Sequence, residues 1–466
     1  MPVLTVGELA QIVQGTIRGT HQDKIITSII TDSRQAQDGA LFIALKGERV
    51  DGNQFIVQAL MAGAAAALTE ETVLPEDLSA IVVDDCIEAM ARLGRYCLEK
   101  FPVKVVAITG SVGKTSSKDM IAAVLAEKYS VLKTQGNLNT ETGLPITLYQ
   151  LSPEHEIAVL EMGMQGLGEI AHLTEIAPPD FAAITNVLGV HLERLGSINA
   201  IAAAKREIFE GLKVKTGVGL LRWDEPWKDF LLEKLTGNSY TYGFPEEADV
   251  SISDVISLGL YGSKFTLHFP NQQKVAATIP LPGRHMVENA ALAAAIGYLN
   301  GLTPTEIALG LSHVQPIDQR SSIQHLGGDR LLIDDSYNAS PKSMQVSLDL
   351  MAEVRSDRCT VAVLADMREL GEQEVEEHEI VGRRLAAEHY DYIFVKGVLA
   401  EALGRAALVS GMPEDRVVFC IDNQAMAEAV LRTVPEHAIL LVKGSRSLAL
   451  EEVVEQLQQS WGEVNA

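Results

Sequence analysis

The segment Thr109-Gly110-Ser111-Val112-Gly113-Lys114-Thr115 carries the residue types that bind a phosphate chain. Glycines permit a tight turn whose N–H groups can face an anion, Lys114 adds a point charge, and the Thr115 hydroxyl is placed to ligate Mg2+. A glycine turn alone is weak evidence, because glycine serves any turn that needs positive φ. Here it lies between the apolar run Val105-Val106-Ala107-Ile108 and a segment that reads as helix from Ser116 onward. Strand, turn, lysine, hydroxyl and helix in that order point to a nucleoside triphosphate. The turn is short: Ile108 occupies the position five residues before Gly113, where the common phosphate loop has glycine.

Other groups could complete a reaction centre. Glu161 follows the buried run Ile157 to Leu160 and, with Thr115, offers the hard oxygen ligands that Mg2+ requires. His191 could join that metal or a second one, although a lone histidine is more often structural. Asn186 follows the apolar run Phe181 to Ile184, at a strand end of the kind where ligands gather in parallel sheets. Lys205, within Ala-Ala-Ala-Lys-Arg-Glu-Ile-Phe, reads by itself as a solvated helix lysine. Near the start, Thr31-Asp32-Ser33-Arg34 precedes the strand-like ALFIAL (40–45). That cluster is either a surface turn or, with Lys46-Gly47 and Asp51-Gly52, an anion-binding loop pair.

The elements that must position these groups form an α/β pattern. At 466 residues the chain is too long for one core. Three domains are expected: a small α/β N-terminal domain (1–101), a central P-loop domain with a mostly parallel sheet (102–315), and a C-terminal Rossmann-like α/β domain (316–466). The boundaries are read at Phe101-Pro102 and near Val314-Gln315-Pro316. A helix is expected over Val6 to Val13, another from about Ile87 to Lys100, and an alanine-rich one near Val287. A β-rich stretch covers 241–279, and strands are expected at 331–333, 360–364, 392–395 and 439–442.

Bulk properties exclude several classes. Hydrophobic residues make up 47% and charged residues 21%, a folded composition. With 62 acidic against 38 basic residues the formal charge is -24, which disfavours nucleic acid and anionic membranes as partners. The opening residues show no secretory pattern and no run of 18 apolar residues occurs, so a cytoplasmic protein that is not an integral membrane protein is expected. Cys86, Cys97, Cys359 and Cys420 lack C-x-x-C spacing and read as isolated, reduced thiols.

Six segments occur together in order: T-G-S-V-G-K-T, E-M-G, T-N-V-L-G-V-H, A-A-K-R-E-I-F, G-R-H-M-V-E-N-A and D-D-S-Y-N-A-S-P. This set resembles the Mur ligases, the ATP-dependent amino-acid or peptide adding enzymes of peptidoglycan synthesis. The likeness covers nearly the whole chain. N-L-N-T-E-T-G-L-P (137–145), E-M-G-M, E-I-F-E-G-L, D-M-R-E-L-G with His378, and K-G-S-R (443–446) are most similar to the branch that joins D-alanyl-D-alanine to UDP-N-acetylmuramoyl-tripeptide. The D-N-P-R signature of the diaminopimelate-adding branch is absent. Folylpolyglutamate synthases share the short P-loop but not the later segments.

The resemblance implies roles. Gly110, Ser111, Val112, Gly113, Lys114 and Thr115 would hold the triphosphate of ATP. Thr115, Glu161 and His191 would bind Mg2+, and Lys205 would be carbamylated by CO2 to give a second Mg2+ an anionic ligand. Asn186 would orient the phosphate side and Asn289 would contact adenine. Arg320 and Asp335 would reach ATP from the third domain on closure. Ser33, Arg34, Phe42, Lys46 and Gly47 would hold the uridine diphosphate end. Asn137, Asn139, Tyr337 and Asn338 would lie on the substrate side, Asn338 near the incoming dipeptide. Catalysis would fall to Lys114, Lys205, His191, Arg320 and Asp335, in a monomer. Met286, Ser340, Asn53 and Arg222-Trp223-Asp224 depart from the usual pattern. Another amino acid as co-substrate, or a nucleotide-binding scaffold without chemistry, are the competing readings.

Overall fold

The computed structural model describes residues 2–19, 21–47, 50–73, 78–190 and 192–464. Its architecture is α/β throughout, with a five-stranded, a nine-stranded and a six-stranded sheet in chain order, beside a two-stranded pair.

Helix α1 (Val6–Val13) starts at a capping box in which Thr5 and Glu8 satisfy each other's backbone N–H groups. Strand β1 (Ala40–Ile43) is buried along its length within the five-stranded sheet. Helix α2 (Cys86–Lys100), capped by Asp85, leads into the central sheet. The N-terminal segment packs onto that sheet through one continuous apolar cluster, which includes Leu9, Met90, Val105 and Leu160. Tyr149 adds a buried link, its hydroxyl donating to the Ile26 carbonyl at 2.9 Å.

Strand β2 (Lys104–Thr109) runs parallel between β3 (Ile157–Glu161) and β4 (Phe181–Ile184). Its side chains alternate between two cores: Val105 and Ala107 face one layer, Val106 and Ile108 the other. A strand covered on both faces needs an unbroken apolar run, and that is what the sequence supplies. After β2 the chain passes through α3 (Lys114–Ala126) to the far edge of the sheet, returns to β3 beside β2, and then takes β4 on β2's other side. Such a change of direction opens a crevice at the carboxyl ends of the strands. Helix α3 begins two residues earlier than expected, because Gly113 in the left-handed region (φ 82°) acts as its cap. The β-rich stretch forms the three strands Val250–Ser257, Ser263–His268 and Lys274–Ile279, antiparallel to one another at the sheet's end. Helix α4 (Ile198–Glu210) covers one face of the sheet. On the other lies α5 (Arg284–Leu299), whose Ala290 and Ala294 share a cluster with Val124 of α3.

In the six-stranded sheet, β5 (Arg330–Asp334) is followed by α6 (Pro341–Val354) and β6 (Cys359–Ala365). The last strand, β7 (Ala438–Lys443), inserts between β5 and β6, parallel to both. Again alternate side chains feed two cores: Leu331 and Ile333 join Met344 and Leu348, while Leu332 joins Val453 and Leu457. No helix among the described residues is long and apolar enough to cross a membrane.

Candidate active site

A cleft of about 1240 Å³ opens where the carboxyl ends of the central and C-terminal sheets face each other. Its central wall is the 109–113 turn, held from behind by the residues after β4. Thr185 Oγ1 donates to the Val112 carbonyl at 2.6 Å. The Asn186 carboxamide accepts from Val112 N–H at 3.0 Å and donates to the Val112 carbonyl at 3.1 Å. Ser111 N–H donates to the Asn186 carbonyl at 3.1 Å, and the Ser111 hydroxyl exchanges hydrogen bonds with the Leu188 backbone at 2.9 and 3.0 Å. The turn also sits so close to Thr185 that a Cβ on Gly110 would lie 1.8 Å from its Oγ1.

This geometry refines the expectation for the loop. Ser111 and Val112 turn their N–H groups inward to Asn186, so the donors left for an anion are those at the start of α3, where the first N–H groups have no partner within the helix. Asn186 therefore shapes the cradle. Lys114 Nζ lies in that cradle, donating to the carbonyls of Gly110 at 2.8 Å and Ser111 at 3.4 Å. Burial lowers its pKa, opposed by the Glu161 charge and reinforced by that of Arg320.

Glu161, 2% exposed, ends β3 against the start of α3. One oxygen accepts from Thr115 Oγ1 at 2.9 Å and the other from Asn139 Nδ2 at 2.8 Å. Among the described residues no cation is ion-paired with this carboxylate. A buried anion whose described hydrogen-bond partners, Thr115 and Asn139, are both neutral suits a hard divalent cation, and the Glu161 and Thr115 oxygens fit Mg2+. His191, the third expected ligand, lies outside the described residues.

Lys205, on α4, is also 2% exposed. No hydrogen-bond acceptor is paired with it among the described residues. Burial, and then the nearby Lys114 charge, push its pKa well below the ordinary lysine value. The solvated helix lysine of the simplest reading is thus corrected: the amine is buried and held toward its neutral form.

The opposite wall belongs to the C-terminal sheet. Arg320 Nη2 lies 3.5 Å from Thr115 Oγ1 across 205 residues, so in this conformation it already stands at the P-loop. Asp335, just after β5, receives hydrogen bonds from Ser347 Oγ at 2.6 Å and Ser321 N–H at 3.2 Å, and is ion-paired with Lys443, itself 2% exposed. Asp335 is therefore spoken for within the protein. Lys443 also donates to the Asn338 carbonyl at 3.0 Å, and the Asn338 carboxamide accepts from Arg446 N–H at 3.4 Å. Tyr337 and Asn338 both line the cleft. So does Asn289, whose Oδ1 is 3.3 Å from where a Cβ on Gly113 would stand. Met286, a departure from the family pattern, is buried, and its sulfur accepts from Asn289 Nδ2 at 3.9 Å.

The N-terminal candidates are not gathered into this cleft, and neither is Asn137. Ser33 is buried, whereas Arg34 is exposed and forms a bidentate pair with Asp32, Nη2 to Oδ2 at 2.6 Å, which holds the Asp32 pKa at about 2. Gly47 N–H donates to the Val50 carbonyl at 3.0 Å, and Lys46 bridges to Asp51. Phe42 needs correction as a substrate contact. It is 1% exposed, packed with Ile30, Ile56 and Ala59, because β1 is covered on both faces.

Three features escaped residue-by-residue reading. Lys443, like the other two, was legible only as part of a motif. His285, held down at about 4 chiefly by burial, lines the cleft beside Asp335. Arg368 stands on a loop fastened by Asp366 capping Leu399 and Ala400 N–H (3.0 and 2.8 Å), by Met367 N–H on His378 Nε2 (2.9 Å), and by its own N–H on Ser445 Oγ (2.9 Å). Its guanidinium is exposed and has no ion-pair partner among the described residues.

Comparison with known proteins supplies the context for this geometry. Family models described as Mur ligase family, catalytic domain, Mur ligase middle domain, and Mur ligase, glutamate ligase domain match residues 25–100, 108–297 and 320–446. The chain is 37% identical over 461 residues to the UDP-N-acetylmuramoyl-tripeptide--D-alanyl-D-alanine ligase of Bacillus subtilis, covering 98% of each. It is 36% identical to the Escherichia coli ligase of the same name, covering 98% of this chain and 99% of that one. Among solved structures, MurF from Acinetobacter baumannii superposes with a TM-score of 0.86 at 31% identity, over 99% of this chain and 100% of that one. MurF ligase from Thermotoga maritima in complex with ADP gives 0.78 at 29% identity, over 93% and 97%.

Proposed function

The chain belongs to the Mur ligase family, and from that premise we propose that it is an ATP-dependent ligase joining D-alanyl-D-alanine to UDP-N-acetylmuramoyl-tripeptide. The observation that carries the reading is the convergence, in one cleft, of Lys114, buried Glu161 with Thr115, and Arg320 from a second sheet. Positive groups on two walls are what the meeting of a carboxylate with a triphosphate demands.

The tripeptide's terminal carboxylate oxygen attacks the γ-phosphorus. The new O–P bond forms as the bond to ADP breaks, giving an acyl phosphate. The neutral dipeptide amine then attacks the carbonyl carbon: the C–N bond forms, the C–O bond to the phosphate breaks, and the proton given up by the amine passes to the released phosphate. Lys114 and the first N–H groups of α3 hold the phosphate chain, and Arg320 neutralises charge on the transferred group. Thr115 and Glu161, with His191, would hold Mg2+, which when bound supplies charge neutralisation at the phosphate oxygens.

Lys205 has the environment for carbamylation: a neutral amine adds to CO2 and releases one proton, turning a group that burial disfavours as a cation into an anion suited to a second Mg2+. Asn289 contacts the base, while Tyr337 and Asn338 lie toward the dipeptide. Ser33, Arg34, Lys46 and Gly47 serve the uridine diphosphate end from outside the cleft. The reading includes a monomer working in the cytoplasm.

The test measures phosphate release with purified protein, Mg2+, ATP, the UDP-linked tripeptide and D-alanyl-D-alanine, with mass detection of the product. Release that needs both peptides, with a product heavier by the dipeptide, is expected. Release with a single amino acid in place of the dipeptide would move the chain to another branch. No joined product would return it to a nucleotide-binding scaffold.

A further inference from the structure

Arg320 stands between Gln319 and Ser321, whose φ values are 61° and 54°, a region that L-residues other than glycine rarely enter. Two backbone hydrogen bonds and one to a carboxylate side chain hold this unusual stretch. Arg320 N–H donates to the Ile317 carbonyl at 3.2 Å, Tyr337 N–H to the Gln319 carbonyl at 3.2 Å, and Ser321 N–H to Asp335 Oδ1 at 3.2 Å. Residues 335–337 are therefore the frame on which Arg320 is mounted, and that frame is anchored in turn by Lys443 and Ser347.

The side chain is mounted on the same frame. The guanidinium carbon of Arg320 lies 3.9 Å from the centroid of the Tyr337 ring, while its Nη2 points to Thr115. A flat cation over an aromatic face is attracted by the ring's quadrupole, and the contact restricts an otherwise long and free side chain. Arg446 also approaches this ring, at 5.5 Å, but it is ion-paired with Glu451 at 2.7 Å. The Tyr337 hydroxyl makes no hydrogen bond among the described residues. What the residue offers Arg320 is its ring.

We propose that Tyr337 is a positioning residue: its ring is the shelf that presents the Arg320 guanidinium to the terminal phosphoryl group of the bound triphosphate. This rests on the nucleotide part of the proposed function and not on the identity of the peptides. Because the guanidinium is aimed at the group that ADP lacks, removing the shelf changes affinity for the triphosphate and spares ADP.

The experiment measures dissociation constants by calorimetry for ADP and for the non-hydrolysable imido analogue of ATP, both with Mg2+. Tyr337→Leu should weaken the analogue roughly 3- to 30-fold and move ADP less than about twofold. Tyr337→Phe should keep the wild-type ratio of the two constants. In an Arg320→Ala background, Tyr337→Leu should add nothing further. Arg320→Lys, which leaves Tyr337 in place and keeps the charge but not the flat cation, should show the same selective loss, so the test does not depend on the leucine variant folding. The proposal is overturned if phenylalanine is as damaging as leucine, if ADP weakens equally, if the leucine effect persists without Arg320, or if Arg320→Lys binds the analogue normally. Failure of the wild-type protein to bind either nucleotide would remove the nucleotide reading, and the shelf with it.

Discussion

Asn186→Ala tests whether the phosphate cradle is shaped from behind. The substitution deletes the carboxamide that grips Val112 through its N–H at 3.0 Å and its carbonyl at 3.1 Å. Each neutral hydrogen bond contributes about 0.5–1.5 kcal/mol net, so the pair contributes about 1–3 kcal/mol. Two features favour the lower half of that range. Val112 is only partly buried, so water can replace part of what is lost, and Thr185 still donates to the Val112 carbonyl at 2.6 Å. About 1–2 kcal/mol corresponds to a weakening of roughly 5- to 30-fold. It should fall equally on ADP and on a non-hydrolysable triphosphate, because the whole loop relaxes and no single phosphate loses a ligand. Calorimetric titration of both nucleotides reads this out, with the unfolding temperature checking that the fold survives. Selective loss of the triphosphate would mean that Asn186 touches the terminal phosphate itself. No change in either constant would mean that the clamp is idle, and the account of the cradle would fail.

Other expectations follow from buried groups. Lys205→Ala should abolish turnover, with partial recovery in short carboxylic acids, and ¹³C-bicarbonate should give a carbamate resonance in the wild-type protein that is missing from the variant; full activity of the variant would dispose of the carbamate. His285 should contribute to acid sensitivity. Its folded pKa of about 4 lies below its ordinary 6.5, so the unfolded chain binds the proton more readily and stability is lost as pH falls from about 6.5 towards 4. Denaturant unfolding of His285→Gln should show a flatter profile across that window, and an unchanged slope would contradict the assignment. Burial pushes the Cys86 and Cys97 thiols up to about 12, leaving roughly one in ten thousand ionised at pH 8. A thiol-specific reagent should leave both unlabelled in the native protein and reach them on unfolding, a result that rapid native labelling of Cys97 would contradict.

Much of this geometry was legible in the chain because local chemistry dictated it. The apolar run from Val105 to Ile108 reads as a buried strand, and the glycine turn with Lys114 and Thr115 after it as a phosphate loop leading into a helix. Alternation of such runs with helices gave the α/β class. What sequence did not give was the direction in which polar groups point. Asn186 lies where a phosphate ligand could be read, yet its carboxamide grips the loop, a choice made by β4 lying beside β2. Phe42 stands in a run with no marker distinguishing a ligand-facing ring from a core-facing one. The pairing of Asp335 with Lys443 spans 108 residues and depends on which strand β7 inserts beside. Helix α3 begins at Lys114 because Gly113 takes a left-handed conformation, which residue type permits but does not announce.

The insertion of β7 between β5 and β6 also orders events in time. A growing chain emerges from its amino end, and the central sheet can complete itself long before residue 438 exists. The C-terminal sheet cannot, for its middle is filled by one of the last segments to be made. Until then Asp335 lacks its buried counter-charge, and the frame beneath Arg320 has nothing to brace it. A chain that stops short of β7 should therefore keep the central sheet and its phosphate loop while lacking the braced frame that carries Arg320.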